Sequence, residues 1–241
     1  MNVLAIGAHP DDLDFCCGGT LIRLAQSGAQ VVMCIVTDGR GHPVGDPVGV
    51  AARRLSEAKK SAAMVGAQLE CLGIQDGRLM DDAPTRLKFI DLMLRVQPDL
   101  IITHPPDDYH SDHNMTSRLV TATIQMAWAP PPELTGPPVR KQVPVAFMVS
   151  AYGINFLPED FVDVSDVWDT KLQMCLNHRS QYLPGPDYDS VQLQEPLDQY
   201  SFYRLARIVD EFYGQQCWCR YAEGFRWWRA ADRLVARRLL P

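Results

Sequence analysis

Several familiar features are missing from this chain of 241 residues, and each absence removes a class of protein. No stretch is long and apolar enough to span a bilayer. The opening residues, Met1-Asn2-Val3-Leu4-Ala5-Ile6-Gly7, carry no basic region of the kind that begins a secretory signal. A cytoplasmic protein without stable membrane insertion is therefore expected. Basic residues are in deficit: 23 Lys and Arg stand against 29 Asp and Glu, a formal charge of −6. That balance argues against nucleic acid or an anionic membrane as a general partner. The seven cysteines include no C-x-x-C pair, so zinc-ribbon spacing is absent and reduced, partly buried thiols are expected. There is no fixed-period repeat and no low-complexity tract.

What remains is ordinary globular material, 46% hydrophobic and 22% charged, long enough for a substantial core. Short apolar runs at Val3 to Ile6, Val31 to Thr37, Gln68 to Leu72 and Leu100 to Thr103 read as strands. Between them, Gly18 to Ser27, Ala51 to Val65, Thr85 to Val96 and Met115 to Trp128 have helical spacing. That alternation predicts an α/β, Rossmann-like, doubly wound and mostly parallel sheet with helices on both faces. After the prolines at 130–144, two further strands are expected at Ala146 to Val149 and Phe161 to Val164, and a helix at Val167 to His178. Arg226-Trp227-Trp228-Arg229 to Arg238 reads as a basic amphipathic helix. One domain is expected over 1–241, with a core to about 180 and a C-terminal extension over about 181–241.

Two clusters carry the chemistry. His9-Pro10-Asp11-Asp12-Leu13-Asp14 follows the first strand, and His104 to His113, with His110-Ser111-Asp112-His113 at its end, follows the fourth. In an open α/β sheet, ligands bind beyond the carboxyl ends of the strands, where the strand order reverses. In the order 3-2-1-4-5, strands one and four are neighbours there. Helix capping by the aspartates explains either cluster alone. Together they supply His9, Asp12 and His113, two imidazoles and a carboxylate that zinc accepts while keeping a position for water. Asp11 is then placed to act as general base, and protonated His110 to stabilise an oxyanion; Asp112 can orient an imidazole. Fe(II) or Co(II) suits the same ligands.

His9-Pro10-Asp11-Asp12 with Asp14, Cys17-Gly18-Gly19-Thr20, and the H-x-D-H ending at His113 together resemble the LmbE-like, or PIG-L, family of N-acetylglucosaminyl deacetylases. Thr37-Asp38-Gly39, Arg53 with Glu57-Ala58, Asp76-Gly77-Arg78-Leu79, Val162 to Ser165, Lys171 and His178 to Gln181 sit at family-like places. The resemblance covers nearly the whole chain and is weakest from Leu183 to Leu197. It implies zinc on His9, Asp12 and His113, Asp11 as base, His110 as electrophilic partner, and hydrolysis of an N-acetyl or other N-acyl group on an amino sugar. It also implies a homo-oligomer, a trimer or hexamer. Members often carry Glu where this chain has Asp14, which is expected to hold the loop. Arg53 resembles a substrate-contacting residue, or pairs with Glu57; Asp38 holds the sugar or the metal loop, or serves a turn. His42 and His178 receive no role. The rival readings are a dinucleotide oxidoreductase, a non-haem iron oxygenase and a non-catalytic module with a structural metal. The first lacks G-x-G-x-x-G after strand one.

Overall fold

The apolar runs pair into one seven-stranded sheet. It is seen in a computed structural model that describes residues 1–41, 46–150, 152, 155–183, 191–194 and 196–230. The elements are β1 (Asn2–Gly7), α1 (Asp12–Gln26), β2 (Gln30–Thr37), α2 (Pro47–Val65), β3 (Gln68–Ile74), α3 (Ala83–Val96), β4 (Leu100–Thr103), α4 (Ser111–Thr123) and β5 (Val145–Met148). They continue with β6 (Asp160–Asp163), α5 (Trp168–Leu176), α6 (Ser201–Cys217) and β7 (Ala222–Trp227). The strand order is β3-β2-β1-β4-β5-β7-β6. The first five strands pair parallel, and β7 runs antiparallel to both β5 and β6. The α/β Rossmann-like class holds.

The pleat of β1 shows why both faces need helices. Val3 and Ala5 join one apolar cluster with α1 and α5, while Leu4 and Ile6 join another with α3 and α4. All four are fully buried, as a central parallel strand requires. Local chemistry sets the helix ends. The Asp46 carboxylate accepts from Gly49 N at 2.7 Å to start α2, and Gly66 at φ 73° ends it. The Asp82 carboxylate accepts from Thr85 N at 2.9 Å to start α3.

Two expectations change. First, α1 begins at Asp12, six residues before Gly18, so both Asp12 and Asp14 stand in its first turn. Its two glycines are packing sites inside the helix. A Cβ on Gly19 would lie 2.6 Å from Val164 Cγ1, and the Glu223 carboxylate accepts from Gly19 N (2.8 Å) and Thr20 N (2.7 Å). Second, Arg226 and Trp227 belong to β7, not to a basic helix, and Trp228 and Arg229 are not helical either. Pairing on both sides, Phe147 with Arg226 and Asp160 with Phe225, overrides the amphipathic pattern. Residues 231–238 of that expected helix lie outside the described residues, as does His42. The segment expected as an extension thus supplies an interior strand of the sheet. No helix among the described residues is long and apolar enough to cross a membrane.

Candidate metal centre

The topology brings both polar clusters to one place. β1 and β4 are adjacent, with Ile6 in register with Thr103, so the residues that follow each strand emerge side by side. His9 and Asp12 come from the β1–α1 junction, and His110 and His113 from the start of α4.

Inward-facing atoms of three residues converge. His9 Nδ1 is 3.2 Å from His113 Nε2 and 3.4 Å from Asp12 Oδ2, and His113 Nε2 is 3.3 Å from Asp12 Oδ1. Three ligands at roughly 2.0–2.2 Å in tetrahedral directions around one ion stand about 3.3–3.6 Å apart, so the spacing fits a zinc-sized cation. The outer nitrogens fix the tautomers. His9 Nε2 lies 3.3 Å from Asp76 Oδ1 and 3.7 Å from Asp112 Oδ2, and His113 Nδ1 lies 3.1 Å from Asp108 Oδ1. Carboxylates outside keep the protons there and turn lone pairs inward, the arrangement metal-binding histidines use. Three groups with ligand atoms close together overlap these residues: His9, His110, His113; Asp12, His104, His113; and His9, Asp76, Asp112.

The electrostatics ask for a cation. Burial opposes charge on His9, but Asp12, Asp112 and Asp76 outweigh it and push its imidazole up to about 12. Burial likewise opposes charge on His113, and Asp12 and Asp108 push it to about 9. Asp12 is held well below the usual carboxylate range, the imidazoles of His113, His9 and His104 overcoming its burial. Contact with His9 takes Asp76 down to about 2. Protons on the imidazoles and a divalent ion are alternatives for neutralising these carboxylates, so an ion bound here would displace protons.

His104, given no role by the sequence, is fully buried beneath the centre. Its Nε2 lies 2.9 Å from Ala8 N and 3.1 Å from Asp12 Oδ2, and it either accepts from the first or donates to the second. Burial and His113 lower it to about 4, so it is neutral.

Asp11 is the N-cap residue of α1, yet its carboxylate makes no capping bond. It is gripped instead by buried Arg54, whose Nη2 donates to Asp11 Oδ1 at 2.7 Å while Nη1 donates to the Gly39 carbonyl at 2.9 Å. Arg53, the arginine singled out in the sequence, lies half-buried one residue away, and Glu57 accepts from Ser180 N and Oγ at 2.8 and 2.6 Å. His110 packs edge-on to His9 with ring centroids 4.5 Å apart, and its Nδ1 accepts from Asp112 N at 3.2 Å. That leaves the proton on Nε2. Burial and the two neighbouring imidazoles of His9 and His113 lower its pKa. Asp112 Oδ2 accepts from Gly77 N at 2.8 Å. Asp38 accepts from Arg40 N and Nε, at 3.1 and 2.6 Å, and from Asp76 N at 3.3 Å, so it braces the loop that presents Asp76 to His9. Asp14 points away from the centre to Ser61 Oγ (2.6 Å) and buried His178. His178 thus has a partner that sequence distance concealed; the i,i+2 offset from Asp12 was the available signal, since it puts Asp14 on another helix face.

Comparison with known proteins identifies relatives of the whole fold. The profile of the GlcNAc-PI de-N-acetylase family (PIG-L) matches residues 4–124. Diacetylchitobiose deacetylase of Thermococcus kodakarensis is 30% identical over 232 residues, covering 93% of this chain and 82% of that protein. 4-Oxalmesaconate hydratase of Pseudomonas putida is 28% identical over 184 residues, 70% of each chain. The structure of N,N'-diacetylchitobiose deacetylase from Pyrococcus horikoshii superposes with a TM-score of 0.80 at 25% identity, covering 94% of this chain and 83% of that one. These relatives favour neither an iron oxygenase nor a non-catalytic module.

Proposed function

The chain belongs to the PIG-L (LmbE-like) deacetylase family, and on that premise we propose that it is a metal-dependent hydrolase removing an N-acetyl, or other N-acyl, group from an amino-sugar substrate. One observation carries the reading: His9 Nδ1 and His113 Nε2 lie 3.2 Å apart and each is within 3.4 Å of a different oxygen of the Asp12 carboxylate, beside a carboxylate that caps nothing. Zinc suits these donors, and Fe(II) or Co(II) is the alternative. A metal held there supplies Lewis acidity, acidifying water and polarising the acyl oxygen.

The chain's own residues supply the remaining chemistry. Asp11 takes the proton of the attacking water, and Arg54 fixes its orientation through Oδ1 while Oδ2 stays outside that pair. His110, with Nδ1 occupied by the Asp112 amide, donates from Nε2 to the acyl oxygen as negative charge builds on it. Asp11 then passes its proton to the nitrogen as the C–N bond breaks, giving a carboxylate and a free amine. Asp76 and Asp108 hold the two ligand imidazoles in place throughout.

The test is free-amine release from a panel of N-acetylglucosamine-containing compounds, with and without chelator, alongside metal content and a His113→Ala control. Chelator-sensitive release, absent from the variant, is expected. Release that survives complete metal removal would end the metal-dependent reading. The hydratase relative motivates a second arm, in which the metal-loaded protein is offered unsaturated carboxylic acids. Water addition there, with no amine from any amide, would move the chain to the hydratase branch.

A further inference from the structure

Of the seven cysteines, Cys16, Cys17, Cys34 and Cys175 are buried and Cys71 is exposed. The remaining two, Cys217 and Cys219, are half-buried, and their sulfurs face each other at 3.5 Å. They lie at the join between α6 and β7.

The backbone holds this arrangement. Cys217 is the last residue of α6, and Trp218 caps the helix in the left-handed region at φ 61° and ψ 34°. That conformation suits glycine or asparagine and is uncommon for a tryptophan, whose side chain here is 99% exposed. A helical middle residue, unlike an extended one, draws its neighbours toward the Cα separation of about 4.4–6.8 Å that a disulfide requires. The turn is closed by Cys219 N donating to the Gly214 carbonyl at 3.0 Å. Gly214 lets the returning strand lie against the helix, since a Cβ there would stand 2.6 Å from the Arg220 carbonyl oxygen. Each thiol also reaches a backbone carbonyl at 3.3 Å, Cys217 that of Tyr213 and Cys219 that of Tyr221.

We propose that Cys217 and Cys219 form a redox-active dithiol, a modification site that low-molecular-weight disulfides convert into an intrachain disulfide. One thiolate attacks the reagent disulfide, forms a mixed disulfide and expels one reagent thiolate. The second thiolate attacks the protein sulfur, closes the Cys217–Cys219 bond and expels the other. Two protein thiols are oxidised, one reagent disulfide is reduced to two thiols, and both protons leave with those thiols. Burial, the Cys217 thiol and the Asp163 carboxylate raise Cys219 to about 11, which slows its part at neutral pH without blocking it. Closure would staple the end of α6 to the start of β7.

The test uses the full chain treated with rising oxidised glutathione until exposed Cys71 carries glutathione, which certifies the reagent. Remaining thiols are alkylated before peptide mass analysis. The expected product is one peptide spanning 217–219 that has lost two hydrogens, resists alkylation and is restored by dithiothreitol. In Cys217→Ser and Cys219→Ser, the surviving thiol should stop at a glutathione adduct. A bridging adduct with phenylarsine oxide, absent from both variants, should report the same pair. If Cys71 reacts while Cys217 and Cys219 remain separately alkylated, or each holds its own glutathione, the dithiol assignment is overturned.

Discussion

Lys171 has no exposure to solvent, and its Nζ lies 2.7 Å from Asp210 and 2.8 Å from Glu223, both also buried. Replacing it with Met keeps most of the volume and removes the positive charge that faces both carboxylates. Two carboxylates are then left in the interior, and breaking such a buried pair costs about 3–5 kcal/mol. At about 2–4 °C per kcal/mol for a domain of this size, the melting temperature should fall by roughly 6–20 °C. Denaturant unfolding followed by tryptophan fluorescence is a direct assay, because Trp168 Nε1 donates to Asp210 at 3.1 Å. The pH dependence separates electrostatics from packing. Burial raises Asp210 to about 7 in spite of Lys171, so its folded value lies above its unfolded one. Its contribution to wild-type stability is therefore present below the ordinary carboxylate range and is lost as the pH rises through about 7. Without Lys171 the Asp210 carboxyl resists ionisation further, so Lys171→Met should lose more stability at about pH 8.5 than at about pH 5. A loss below about 1 kcal/mol, or an equal loss at both pH values, would refute the reasoning.

Other outcomes follow from the same structure. Asp11→Asn should cut turnover by about 10²–10⁴ with metal content unchanged, measured by amine release and metal analysis; normal turnover removes it from the base role. Arg54→Met should lower kcat while leaving metal bound, because it frees the Asp11 carboxylate from a guanidinium 2.7 Å away. Gly19→Ala should cost about 1–3 kcal/mol in denaturant melts, since its Cβ would press on Val164 at 2.6 Å. His178→Ala should destabilise by about 1–3 kcal/mol by leaving buried Asp14 with only the Ser61 hydroxyl of its two partners.

Much of the architecture was legible because periodicity reports burial directly. The first four strands and α3 sit within two residues of their expected positions, and β1–β4 adjacency followed from topology alone. The start of α1 was not legible, because Gly18-Gly19 reads as a break unless Glu223, some two hundred residues on, is known to approach it. For the same reason the end of β7, Arg226 and Trp227, read as part of a helix: the strand's pairing partners lie in β5 and β6. Within the candidate site, His9, Asp12 and His113 stood out by residue type and by their places after strands. Their supports, Asp76, Asp108 and His104, have types too common to mark without geometry. Arg53 and Arg54 are adjacent, and only the rotation of α2 decides which one reaches Asp11.

The placement of β7 bears on how the molecule is made. A ribosome delivers β1 to β5 with their helices first, and that parallel set can assemble as it emerges. β6 follows but has no place in the sheet until β7 arrives to lie between it and β5. Until then β5 is an open edge, the sort of surface on which nascent chains pair wrongly. Glu223 arrives with β7 and fastens α1 at Gly19 and Thr20, so the helix carrying Asp12 gets its clamp among the last. A chain cut short before Ala222 would thus keep His9, Asp12 and His113 and lack the brace that holds the helix of Asp12 steady.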